Sequence, residues 1–100
     1  MDYGQMIVDH AVPMLRRAGY RYDGPVVAER WSRTPDGNWI ALLKLGHATP
    51  EFGDRYLHLR GPTLYHLQLG DYFHSREAAE RGYARALVQP LPSSTGERRP

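Results

Sequence analysis

The sequence predicts an α+β fold: an antiparallel sheet of three or four strands built from two hairpins, packed against a C-terminal helix, with an additional N-terminal helix. Three observations predict it. Residues 26–45 read VVAERWSRTPDGNWIALLKL, two runs of β-branched, aromatic and aliphatic residues around a Thr-Pro-Asp-Gly turn signal. Residues 55–73, RYLHLRGPTLYHLQLGDYF, alternate in the same way around Gly61 and Pro62. Two further segments carry apolar residues at helical spacing. Hairpins need a cover and amphipathic helices need burial, so the final helix is expected across one sheet face with the first helix beside it.

Taken in order, residues 3–18 form the first helix, with Ile7, Ala11, Met14, Leu15 and Ala18 on one stripe, Arg16 and Arg17 favouring the C-terminal dipole, and Gly19 as the stop. Pro13 falls inside this stripe and predicts a kink near Asp9 and His10, because it removes a backbone donor and crowds the preceding turn. In the first hairpin Pro35 presets φ, Asp36 folds back on its backbone and Gly37 takes positive φ, so Arg33 faces Trp39 and Trp31 faces Ala41. Alternation then places Trp31, Arg33, Trp39, Ala41 and Leu43 on one face, with Ala28, Arg30, Ser32, Ile40, Leu42 and Lys44 on the other. Residues 46–54 read as a loop anchored by Phe52. A second hairpin turning at Gly61 and Pro62 would pair His58 with Tyr65. Ser75 caps a final helix whose stripe is Ala79, Tyr83, Ala86 and Leu87, closed by Gln89, Pro90 and Pro92. Residues 1–90 are thus expected to be one domain, and 91–100 a flexible tail.

Composition narrows the function classes. The 100 residues include no cysteine, which excludes disulfides, thiolate nucleophiles and thiolate zinc sites. No secretory signal and no long apolar run are visible, so a cytoplasmic protein without a membrane partner is expected. The net charge of +2 permits nucleic-acid binding without requiring it. Lys44 is the sole lysine among 13 basic residues. The five histidines make no helical pair or histidine–carboxylate cluster at metal-ligand spacing, so neither a metal nor a cofactor is expected. Ser32 and Ser75 lack a nucleophile-elbow context, no glycine-rich phosphate loop exists, and Glu77 and Glu80 sit on a solvated helix side, so no enzyme is expected.

The remaining signal is aromatic and basic. Trp31 and Trp39 beside Arg33 combine ring stacking with a guanidinium, as single-strand binding surfaces do; burial of both indoles beneath a helix, with Arg33 at the rim, would transfer the contact role to Arg30, Ser32 and Lys44. The PDGNW turn at 35–39 together with Leu69, Gly70, Phe73, Ser75, Glu77, Ala78 and Ala79 at the last strand-to-helix transition resembles AP2-type and integrase-arm DNA-binding domains. That resemblance implies a three-stranded sheet on a C-terminal helix, with Arg30, Arg33 and Trp39 meeting DNA in the major groove. The sequence-level expectation is therefore a DNA- or RNA-binding protein using Arg30, Arg33, Trp39 and Lys44. The alternative is a small protein-interaction or inhibitor module acting through a sheet edge or apolar patch, with a homodimer as one form.

Overall fold

A computed structural model describes residues 2–22, 24–46 and 55–88. The expected Phe52 anchor, the helix stop at Gln89 and Pro90, and the expected tail over 91–100 lie outside the described residues. The elements run α1 (Tyr3–Arg17), β1 (Val26–Arg33), β2 (Trp39–Leu45), β3 (Tyr56–Gly61), β4 (Gln68–Phe73) and α2 (Arg76–Val88). The four strands form one antiparallel meander in the order β1-β2-β3-β4.

Helix α1 starts where the Asp2 carboxylate accepts the Gln5 amide at 3.0 Å, satisfying one of the free donors of the first turn. It ends in a paired closure: Tyr20 N–H donates to the Leu15 carbonyl and Gly19 N–H to that of Arg16, with Gly19 at φ +83°. Pro13 lies within the continuous helix. Ile7, Ala11 and Leu15 are its buried stripe. In α2, Ser75 Oγ accepts the Ala78 amide at 3.1 Å, and Ala79, Tyr83 and Ala86 are buried.

The first hairpin follows its turn chemistry. Gly37 N–H donates to the Thr34 carbonyl, Gly37 takes φ +87°, and the Asp36 carboxylate receives both the Asn38 amide and the Thr34 hydroxyl. Arg33 pairs with Trp39 and Trp31 with Ala41, as the turn length requires.

Three expectations are corrected. Ala28 pairs with Leu43 and so shares the Trp31 face, not the Arg30 face, because Glu29 is an extra residue that bulges β1 and reverses the parity beyond it. The second connection is wider than a two-residue turn: β4 starts at Gln68, so His58 does not pair with Tyr65, and Leu59 faces Leu69. Leu64 and Leu67 are buried anchors of that connection, and their spacing imitates strand alternation. A second bulge, at Gly70 and Asp71 opposite His58, restores the inward parity of Tyr72.

The third correction concerns the layers: α1 and α2 cover opposite faces of the sheet rather than lying side by side. Ile7, Ala11 and Leu15 pack with Ala41, Leu43, Leu45, Leu57 and Leu59. Ala79, Tyr83 and Ala86 pack with Ile40, Leu42 and Tyr56. Consecutive residues of β2 therefore feed alternate cores, which is why Ile40, Ala41, Leu42 and Leu43 are all inaccessible to solvent.

Candidate functional site

The N-terminus of α1, the inward ends of β1 and β2, and the β3–β4 connection meet at one end of the molecule around a cleft of about 310 Å³. Its lining is Tyr3, Trp31, Trp39, Thr63, Leu64 and Tyr65. Each side chain reaches it for a local reason. Trp31 and Trp39 share a sheet face and pack on the same core, and Gly4 lets α1 approach Trp31 so closely that an added Cβ would lie 3.2 Å from its ring. Leu64 is buried and fixes the β3–β4 connection from below. Thr63 accepts the Tyr65 amide at 3.1 Å and shares a 2.8 Å hydrogen bond with His66 Nδ1, a local turn that turns Tyr65 outward. Tyr3 and Tyr65 are 44% and 62% exposed, while both tryptophans are partly buried, so the cleft has a packed floor and accessible walls.

The four residues expected to bind nucleic acid do not form one surface. Trp39 lines the cleft, and Arg33 lies over its ring at 5.7 Å while donating to the Gly37 carbonyl at 3.3 Å. Arg30 is on the α2 side, 2.9 Å from Glu80 and above the Tyr83 ring at 5.8 Å. Lys44 is partly buried at the far end of β2, opposite Val27 and Tyr56. Arg30 belongs to a charged seam in which Arg76 makes two bonds to Glu29, of 3.0 and 3.1 Å, and one of 3.3 Å to Glu80. The Glu29 carboxylate raises the Arg76 pKa further, and the bulge at Glu29 is what brings that carboxylate to the helix. Replacing Arg30 with alanine is accordingly expected to lower stability by about 0.5 kcal/mol, the scale of a half-exposed ion pair; chemical unfolding of the variant measures it.

Sequence reasoning missed three features. The alternation through the β3–β4 connection suits a strand and so hides Thr63, Leu64 and Tyr65 as cleft residues. At the opposite end the Tyr20 and Tyr72 rings meet at a tilt with centroids 5.6 Å apart, and Arg55 Nε donates to the Tyr72 hydroxyl at 2.7 Å, a pairing between distant segments that no local pattern encodes. His58 is fully buried against α2, and burial holds its imidazole below the ordinary histidine pKa. Burial likewise raises the Tyr83 phenol, which stays protonated and donates to Ser32 Oγ at 2.9 Å.

Among the described residues no three histidine, aspartate or glutamate side chains gather as a metal site, and no helix is long and apolar enough to cross a membrane. No family model, no curated protein and no solved structure matches the chain significantly. The cleft presents ring faces, one adjacent guanidinium and three hydroxyls, those of Tyr3, Thr63 and Tyr65, with the Thr63 hydroxyl hydrogen-bonded to His66.

Proposed function

We propose that the protein is a nonenzymatic recognition module that binds an extended, proline-containing segment of a partner protein in the aromatic cleft. The observation that carries this is the convergence of Tyr3, Trp31, Trp39 and Tyr65 from four separate elements on one groove, two as partly buried floor and two as exposed walls. Aromatic-lined grooves suit the left-handed extended conformation of proline-rich peptides because the ligand is already ordered and its rings lie flat between aromatic faces. Arg33, stacked on Trp39 at the cleft, adds a preference for a carboxylate beside the proline.

The two indoles are the only tryptophans of the chain, so fluorescence excited selectively at tryptophan comes from two residues that line the cleft. Titration with acidic proline-rich decapeptides is expected to shift that emission with saturation in the micromolar range, and Trp39→Ala, which leaves Trp31 as reporter, is expected to weaken binding at least tenfold. Unchanged affinity in Trp39→Ala would remove the cleft from the interface.

A second reading is favoured by the Arg33–Trp39 pair: an unpaired base stacked on Trp39 with its phosphate on Arg33. It keeps the expectation of a nucleic-acid partner for Arg33 and Trp39. On this reading, anisotropy of labelled single-stranded and duplex oligonucleotides rises at low salt, and the Arg33→Ala variant shows a shallower salt dependence, whereas Arg30→Ala, on the other face, does not. Flat titrations at low salt with folded protein exclude it.

A further inference from the structure

His58 sits fully buried where β3 meets α2, in surroundings that fit the neutral ring alone. Its Nε2 is 3.1 Å from the Ala79 carbonyl oxygen, and because a carbonyl only accepts, Nε2 carries the proton. Nδ1 is then a bare lone pair, buried and without a hydrogen-bond partner. The ring is closely enclosed: the Phe73 ring centre is 4.6 Å away, that of Tyr83 6.1 Å, and an added Cβ on Gly82 would stand 3.1 Å from His58 Cε1. Glycine at position 82 is thus what allows α2 to close on the imidazole.

The charged and titratable groups around the ring offer no acceptor to Nδ1. From β3, Arg60 opposes a positive imidazole; from β4, Asp71 favours one but is engaged with Arg60 at 3.3 Å; from α2, the Tyr83 hydroxyl is committed to Ser32. The residue facing His58 from β2 is the apolar Leu42.

We propose that His58 is an acid-sensitive latch on α2: protonation converts Nδ1 into a buried donor with no acceptor, and the state that relieves it is one in which α2 has lifted from the sheet. Closed α2 binds the neutral ring, whereas lifted α2 leaves an imidazole of ordinary affinity for protons, about pKa 6.5. The open state therefore binds more protons, so closure is full above that value and weakens as pH falls through it, by up to about tenfold per unit. Lifting uncovers Ile40, Leu42 and Tyr56, an apolar face distinct from the aromatic cleft.

Amide hydrogen exchange on the full chain at pH 7.5, 6.5 and 5.5, corrected for intrinsic rates, tests the latch. Protection of Tyr83 and Ala86 amides in α2 is expected to fall between five- and tenfold per unit below pH 6.5, while that of Ala11 and Leu15 in α1 falls less than twofold. In His58→Phe, which keeps a ring and removes the titration, and in His58→Gln, which keeps a neutral donor toward Ala79, α2 protection is expected to be independent of pH. Wild-type α2 protection that is flat, or that falls in step with α1, overturns the proposal. So does retention of the full pH dependence in whichever variant folds, and were neither to fold, the wild-type comparison of α2 with α1 decides.

Discussion

Tyr83→Asp is expected to destabilise the protein by about 4 kcal/mol. The Tyr83 side chain is 1% exposed, packs with Ile40, Leu42 and Tyr56, and ties α2 to β1 through its hydroxyl on Ser32. Losing a fully buried ring costs about 3–5 kcal/mol, and a carboxylate in its place is desolvated beside an Arg30 guanidinium already paired with Glu80. Tyr83→Phe separates the two contributions, since it keeps the ring and removes only the bond to Ser32, a loss of about 1 kcal/mol. Urea unfolding followed by circular dichroism measures both. A midpoint unchanged in Tyr83→Asp would place α2 off the sheet.

Gly61→Ala is the second large effect, expected at about 2–3 kcal/mol, the cost of forcing backbone to yield around an overpacked atom. A Cβ at position 61 would come within 2.1 Å of the His66 carbonyl oxygen and 2.8 Å of its carbon, and these are backbone atoms rather than the end of a flexible side chain. The substitution must displace the β3–β4 connection, which carries Thr63, Leu64 and Tyr65 into the cleft. It is therefore expected to weaken peptide binding as well as stability, whereas Tyr83→Asp, acting on the other face, is expected to affect binding only through the folded fraction. Comparing peptide affinity per folded molecule in the two variants distinguishes them.

The first hairpin was legible because its determinants are local: Thr34, Pro35, Asp36 and Gly37 fix the turn, and the turn length fixes the register of Arg33 with Trp39. Helix α1 was legible from its stripe and the Gly19 stop, and α2 from its stripe and the Ser75 cap. The bulges were not, because Glu29 and Gly70-Asp71 each insert a single residue whose effect is felt only across the strand pair. The opposite placement of α1 and α2 was written in Ile40-Ala41-Leu42-Leu43, since a strand with one wet face does not carry four apolar residues in succession. The second connection misled because Leu64 and Leu67 are buried as loop anchors in a spacing that also suits a strand.

For the site, Trp39 and Arg33 were found together because they are cross-strand partners. Arg30 and Lys44 lie on the other face of the sheet, as alternation places them, and what the pattern of charges does not show is that Arg30 is engaged there by Glu80. Tyr3 and Tyr65 join the cleft only through the approach of α1 and the β3–β4 connection, contacts between segments some sixty residues apart.

The most direct measurement of the central claim is the pair of indole N–H resonances in a proton–nitrogen NMR spectrum, one from Trp31 and one from Trp39. Titration with an acidic proline-rich peptide is expected to move both, together with the backbone amides of Thr63, Leu64 and Tyr65, while amides of α2 stay in place. Indole resonances that remain fixed under saturating peptide, or shifts confined to α2, would contradict the assignment of the aromatic cleft as the binding site; movement with oligonucleotide alone would assign the same cleft to nucleic acid.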